Sequence, residues 1–228
     1  MTVDIFSEDL LQVDDDADLI DADTLTRHRD TFLSEGMTVR SLVRTVVSSP
    51  EYRSGATDEP GYVPKKLATP ALLASQIEAL TGFSWTRGGF DVLGSDLVGL
   101  QTLAGAPDGD TVSASNRSPN ATLLLVQERL AQAASVYAVE QHRIDPDAPT
   151  LFTEVDFSET PDTDRDAMVA QIQALHLALF GTHVDVDGDE VEANLGLWQE
   201  LHAISGDPAR SWAGMLSVLL RDPDFLTY

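Results

Sequence analysis

Apolar positions along this chain recur at helical spacing and almost nowhere alternate. Val39, Leu42, Val43 and Val46 fall at i, i+3, i+4 and i+7, which marks one helix face. Thr38 is placed to cap that helix. The stretch before it, "TLTRHRDTFLSEG", reads as another helix closed by Gly36, a residue suited to the position just past a helix end. Residues 54–68 carry glycine and two prolines and read as a loop. Thr69-Pro70 then opens "ALLASQIEALT", stopped by Gly82. Threonine caps, and proline suits the first helical position because its missing N–H has no helical partner there.

Further on, "GFSWTRGGFDVLG" (82–94) reads as a packed loop or short hairpin, "SDLVGLQTLAG" as a short helix and "APDGDTVSASNRS" as a polar loop. Ser118-Pro119 opens the strongest helix, roughly 119–141, with a stripe through Leu123, Val126, Leu130, Ala133 and Tyr137. Three more helices are predicted after a loop at 142–163. They run over about 164–180 (Met168, Ile172, Leu175, Leu179), 189–204 (Val191, Leu195, Trp198, His202) and 208–220, with stops at Gly181 and Gly206. Seven of the eleven prolines follow Ser, Thr or Asp, which is helix-start grammar rather than a PxxP ligand pattern.

These patterns predict an all-α fold, an irregular multi-helix bundle of about eight helices with at most a short β-hairpin. The expected layout is an acidic N-terminal arm (1–24), a helical half (25–141), a Pro- and Asp-rich linker (142–163) and a C-terminal helical half (164–228), the halves packed as one domain. One phrase repeats. "SSPEYR" at 48–53 and "RDPDFL" at 221–226 lie 173 positions apart. At that offset Val39, Leu42, Val43, Val46, Pro50 and Tyr52 align with Trp212, Met215, Leu216, Leu219, Pro223 and Phe225. Each phrase reads as a helix break with a self-capped restart and an aromatic peg folded onto the core. Amphipathic helices resemble one another by construction, so coincidence competes with duplication.

Charge changes the picture at the surface. Acids outnumber bases 38 to 14, for a formal charge of −24, and the only lysines are Lys65 and Lys66. Such a surface repels phosphate backbones and anionic lipid, which argues against nucleic acid and membrane-surface partners. It also strains the compact state by self-repulsion that salt relieves. An ordinary acidic surface and adaptation to a saline medium are both consistent with it; the second predicts a melting temperature that rises with added NaCl, and a flat or falling response contradicts it. The longest apolar run, "ATLLLV", is too short to span a membrane. The opening "MTVDIFSEDL" shows no signal-peptide pattern, although the chain would read the same as a piece of a longer exported protein. The absence of cysteine excludes disulfides, thiolate metal sites, covalent haem attachment and a cysteine nucleophile.

Candidate chemistry is sparse. The five histidines form no HExxH. His176 and His183 are seven apart, but Gly181 interrupts the helix that would align them. "HVDVDGDEVE" offers His183, Asp185, Asp187 and Asp189 in a glycine-containing loop, and calcium is the cation such oxygens would take. The spacing is not that of an EF-hand, and the same acids would serve equally to cap the following helix. Asp108 and Asp110 flank Gly109 in "GAPDGDT", a ligand candidate that turn chemistry also explains. Trp85 and Arg87 would form an aromatic–cation contact at a pocket mouth or simply stabilise their loop. No phosphate-cradling glycine motif and no GxSxG is present. "NRS" and "NAT" match glycosylation sequons where Asn serves turns and caps as well.

The stretches "LVRTVVSSPEYR", "LLASQIEALTGFSW", "LAGAPDGDTV", "LLLVQERLAQAAS" and "LLRDPDFLTY" resemble bacterial helical domains of unknown function found in exported proteins, often beside c-type cytochrome modules. The resemblance covers about 38–228 and its motifs are moderately specific. Relatives carry Tyr-Arg before the Leu-Ala-Gly and a double glycine after it, where this chain has Leu100-Gln101 and Ala106; the departure weakens any ligand role for that loop. The resemblance implies a periplasmic or extracellular setting and a protein partner, cytochrome-containing or secreted. It supplies no catalytic residue. The expectation is therefore a non-catalytic interaction or accessory module, with no cofactor. The alternative is a calcium-binding sensor, or an enzyme with a site between helices.

Overall fold

The computed structural model of the chain describes residues 16–49, 66–95, 99–107, 115–116, 118–146 and 151–228, the side chains of 16–24 excepted. Among these are eight α-helices: α1 (Asp16–Ser34), α2 (Val39–Val47), α3 (Pro70–Thr81), α4 (Leu100–Leu103), α5 (Ala121–Ile144), α6 (Arg165–Phe180), α7 (Asp189–Ser205) and α8 (Pro208–Leu219). A two-stranded antiparallel hairpin, β1 (Thr86–Arg87) and β2 (Phe90–Asp91), lies between α3 and α4, and a 3-10 turn over Pro223–Leu226 ends the fold. The architecture is all-α with a short hairpin, as the periodicity predicts.

Caps set the helix bounds. The side chains of Thr38, Thr69, Asn120, Asp164 and Asp207 each accept a backbone N–H of the first turn, satisfying a donor that the helix itself leaves orphaned. Gly82, Gly181 and Gly206 close α3, α6 and α7 in the left-handed conformation. Two helices differ in their bounds from the sequence reading. Helix α1 begins at Asp16, within the stretch read as an arm. Helix α5 is capped by Asn120 rather than Ser118 and runs on to Ile144, taking in His142. The hairpin pairs Arg87 with Phe90 across Gly88-Gly89, both at positive φ, as a two-residue turn matched to strand twist requires.

The described chain falls into two compact units. One is represented by α1 and α2. There α2 turns Ser41, Leu42 and Val46 inward, and His28 of α1 is also buried. The other unit comprises Leu67–Asp108 and Ser115–Tyr228. Its centre is α5, which packs against α3 and α8, while α7 packs on α8 and α6 on α7. Trp198, Trp212, Phe152, Met168 and Met215 are fully buried there, with Trp212 edge-on to Trp198 at 6.3 Å and to Phe152 at 5.9 Å. The first and last residues of this unit meet: Ala68 donates its N–H to the Leu226 carbonyl at 2.7 Å.

Two readings change on contact with this core, and a third holds. The α5 stripe runs through Leu123, Val126, Leu130, Ala134 and Ala138; Ala133 and Tyr137 are exposed. A helix flanked on two sides needs a broader apolar face than a single seam, so the buried face moves around it. The stretch 142–163, read as a linker, sends Leu151, Phe152, Val155 and Phe157 into the core, and the compact units divide near residue 66 instead. "RDPDFL" behaves as a capped restart: Asp222 accepts the Asp224 N–H at 2.8 Å, and Phe225 and Leu226 are buried. Its counterpart Tyr52 lies outside the described residues.

Candidate functional site

A groove of about 590 Å³ lies between α5 and α8. Its floor is small and apolar, with Val139, Ala209 and Ala213 buried. Gly214 also lines it, and a Cβ there would come within 2.9 Å of a methyl of Leu201. Small residues on α8 thus serve two ends: close approach of α7 on one side, an open groove on the other. The rim holds two i,i+3 ion pairs, Arg143–Glu140 at 3.3 Å and Arg210–Asp207 at 3.6 Å. Both arginines are more than half exposed, so these pairs shape the rim and add little stability. The lining contains neither histidine nor cysteine. It suits an apolar side chain or short segment held between charged edges.

Elsewhere, three buried polar side chains hold backbone. Gln171 is fully buried; its Oε1 accepts the N–H groups of Thr153 and Glu154, and its Nε2 donates to the Leu151 carbonyl. Gln127 donates to the carbonyls of Leu220 and Asp222 at 3.0 and 3.3 Å, tying the end of α8 to α5. His142 Nε2 lies 3.1 Å from the Val155 carbonyl, so it carries the donated proton. The ring meets Phe157 edge-on at 4.9 Å. Phe157 itself sits at φ 71°, a cost that a bulky residue bears only where packing enforces it.

The residues singled out from sequence do not gather. His183, Asp185, Asp187 and Asp189 are all exposed, and among the described residues no three His, Asp or Glu side chains converge on a metal position. Asp189, Glu190 and Glu192 occupy the first turn of α7, where the helix dipole favours negative charge, and Glu192 pairs with Arg165 of α6. Trp85 is half-buried against the core while Arg87 is exposed. Asp108 and Asp110 lie outside the described residues. The loop they follow is held closely: Gly105, at φ 100°, accepts the Asn116 N–H at 2.8 Å, and a Cβ there would fall 2.6 Å from the Asn116 side chain.

No family model, curated protein or solved structure matches the chain.

His176 sits half-buried between α6 and α7. Burial lowers its pKa, against the opposing charges of Glu190 and Asp222. The Asn194 amide sits 3.1 Å from its Nε2 and also donates to the Glu190 carbonyl. The neutral ring therefore accepts at Nε2 and bridges α6 to α7. Sequence inspection passes over Gln127, Gln171 and His142. Their signal is a polar residue embedded in an apolar face, as Gln171 is among Met168, Ile172 and Leu175.

The α1–α2 unit carries a different feature. Val39, Val43 and Val47 line the outward side of α2 at 69, 49 and 42% exposure, and Met37 and Leu33 before it are exposed as well. Apolar side chains grouped in this way mark a surface that another molecule covers.

Proposed function

We propose that this chain is a helical interaction module, an accessory part of an exported, redox-linked bacterial assembly that works by binding a protein partner. The observation that carries the reading is the outward apolar face of α2, whose register matches that of a core helix yet meets no covering element among the described residues. The open groove between α5 and α8 supports it, since its edges are charged and its floor apolar. The resemblance of five stretches of sequence to domains found beside c-type cytochromes supplies the setting. The acidic surface fits a partner other than nucleic acid or anionic lipid.

The test is to isolate the tagged protein from fractionated cells that produce it naturally. It is expected outside the cytoplasm, eluting with a protein that shows the reduced-minus-oxidised spectrum of a c-type haem. Recovery from the cytoplasm, or an eluate without haem, contradicts the assignment.

A further inference from the structure

The face of α2 is basic as well as apolar, and the two properties together specify what covers it. Positions 36–50 contain no acid at all, in a chain with 38. Arg40 and Arg44 lie beside the valine row, both exposed, and neither forms an ion pair among the described residues. Arginines at i and i+4 stand about 6 Å apart along a helix axis. The valines share that spacing. The surface is therefore two parallel rows, one apolar and one cationic, roughly 13 Å long as nine residues dictate.

We infer that α2 docks an amphipathic helix of a partner protein, one with an apolar row flanked by carboxylates three or four residues apart. Interdigitating aliphatic rows bury the valines together with Met37 and Leu33. Each arginine then meets a carboxylate in a charge-assisted pair, strengthened as water leaves the contact. Met37, held at φ 58°, is exposed at the elbow before α2. Charge complementarity selects this occupant. A second copy of the chain brings a net charge of −24 against the first. A membrane or nucleic acid presents an extended sheet of anions, which the rest of the surface repels. A single helix needs only two carboxylates, within the screening distance of about 8 Å at physiological salt.

This inference deepens the interaction-module reading and is tested apart from it. A photoreactive benzophenone residue replaces Val43 in the full chain, expressed in the cells that make it, with the same residue at Ile204, a lone apolar position 86% exposed, as the control. The expected result is a light-dependent adduct at position 43 whose cross-linked peptide, sequenced by mass spectrometry, has apolar residues at helical spacing and acids alongside. In an R40E/R44E background whose circular dichroism is unchanged, the yield falls at least tenfold. No adduct above the Ile204 control, an adduct to a second copy or to lipid, a partner peptide without flanking acids, or a yield indifferent to R40E/R44E each overturns it. An acidic partner found in the cytoplasm would uphold the docking mode and overturn the exported assignment. Haem co-purification that survives R40E/R44E would uphold the assignment and overturn the docking face.

Discussion

Helices α2 and α8 carry one apolar register and put it to opposite uses. Trp212, Met215, Leu216 and Leu219 of α8 are all buried. Of their counterparts, Leu42 and Val46 are buried while Val39 and Val43 are exposed. Spacing at i, i+3, i+4 and i+7 fixes which side of a helix is apolar. What lies against that side depends on which elements the rest of the chain brings there. Helix α8 has α5 and α7 against it. Helix α2 has α1 on one side, and the width of its apolar face exceeds what α1 covers.

The largest predicted effect separates the two directly. Trp212→Ala removes a fully buried ring at the centre of the aromatic core and is expected to cost about 3–5 kcal/mol in denaturant unfolding. The aligned Val39→Ala is expected to stay within about 0.5 kcal/mol. Comparable costs at both positions would break the contrast. Next, Gln127→Leu leaves the carbonyls that end α8 without their donor, at an expected cost of about 1–3 kcal/mol. Faster hydrogen exchange around 220–222 is its local signature.

Removing the N-caps sharpens the comparison from the other side. Thr38→Ala and Asp207→Ala each delete a side-chain acceptor at a helix start, and each is expected to cost about 1 kcal/mol. Equal costs would show that local grammar is alike in the two helices and only burial differs.

That grammar is what the sequence displays most openly. Thr38, Thr69-Pro70, Asp207-Pro208, Gly82, Gly181 and Gly206 act through neighbours one to four residues away, so their roles are legible without the fold. The α5 stripe is less so: choosing Ala134 over Ala133 requires knowing that α3 and α8 flank the helix. The buried anchors at 151–157 were hidden by prolines and acids that suggested a linker, while Gln171 satisfies that segment's backbone from a distance of about 20 positions. For the candidate site, composition marked the acids of 183–190, but convergence is a property of three dimensions, and these side chains spread into solvent. The α2 face was legible as a periodicity, and only its exposure had to come from the structure.

The smallest predicted effect concerns pH. His176 has a folded pKa below the ordinary 6.5 because burial disfavours its charged form. The unfolded chain therefore binds this proton more readily, and stability is fullest above pH 6.5 and declines as pH falls below it. His176→Gln is expected to flatten that decline relative to the parent protein, while the slope above pH 7 stays unchanged. An unaltered slope between pH 5 and 6.5 would remove His176 from the α6–α7 contact.

The absence of cysteine makes the central contrast directly measurable. Val43→Cys and Leu216→Cys place a single thiol at aligned positions of α2 and α8, and each is labelled with a maleimide in native buffer and in denaturant. The account predicts that the thiol at position 43 reacts in native buffer within about tenfold of its denatured rate, as an open surface site does. It predicts that the thiol at 216 is slowed by the full opening equilibrium, of order a thousandfold or more. Strong protection at 43, matching that at 216, would show that α2 is covered in the isolated protein and would contradict the account.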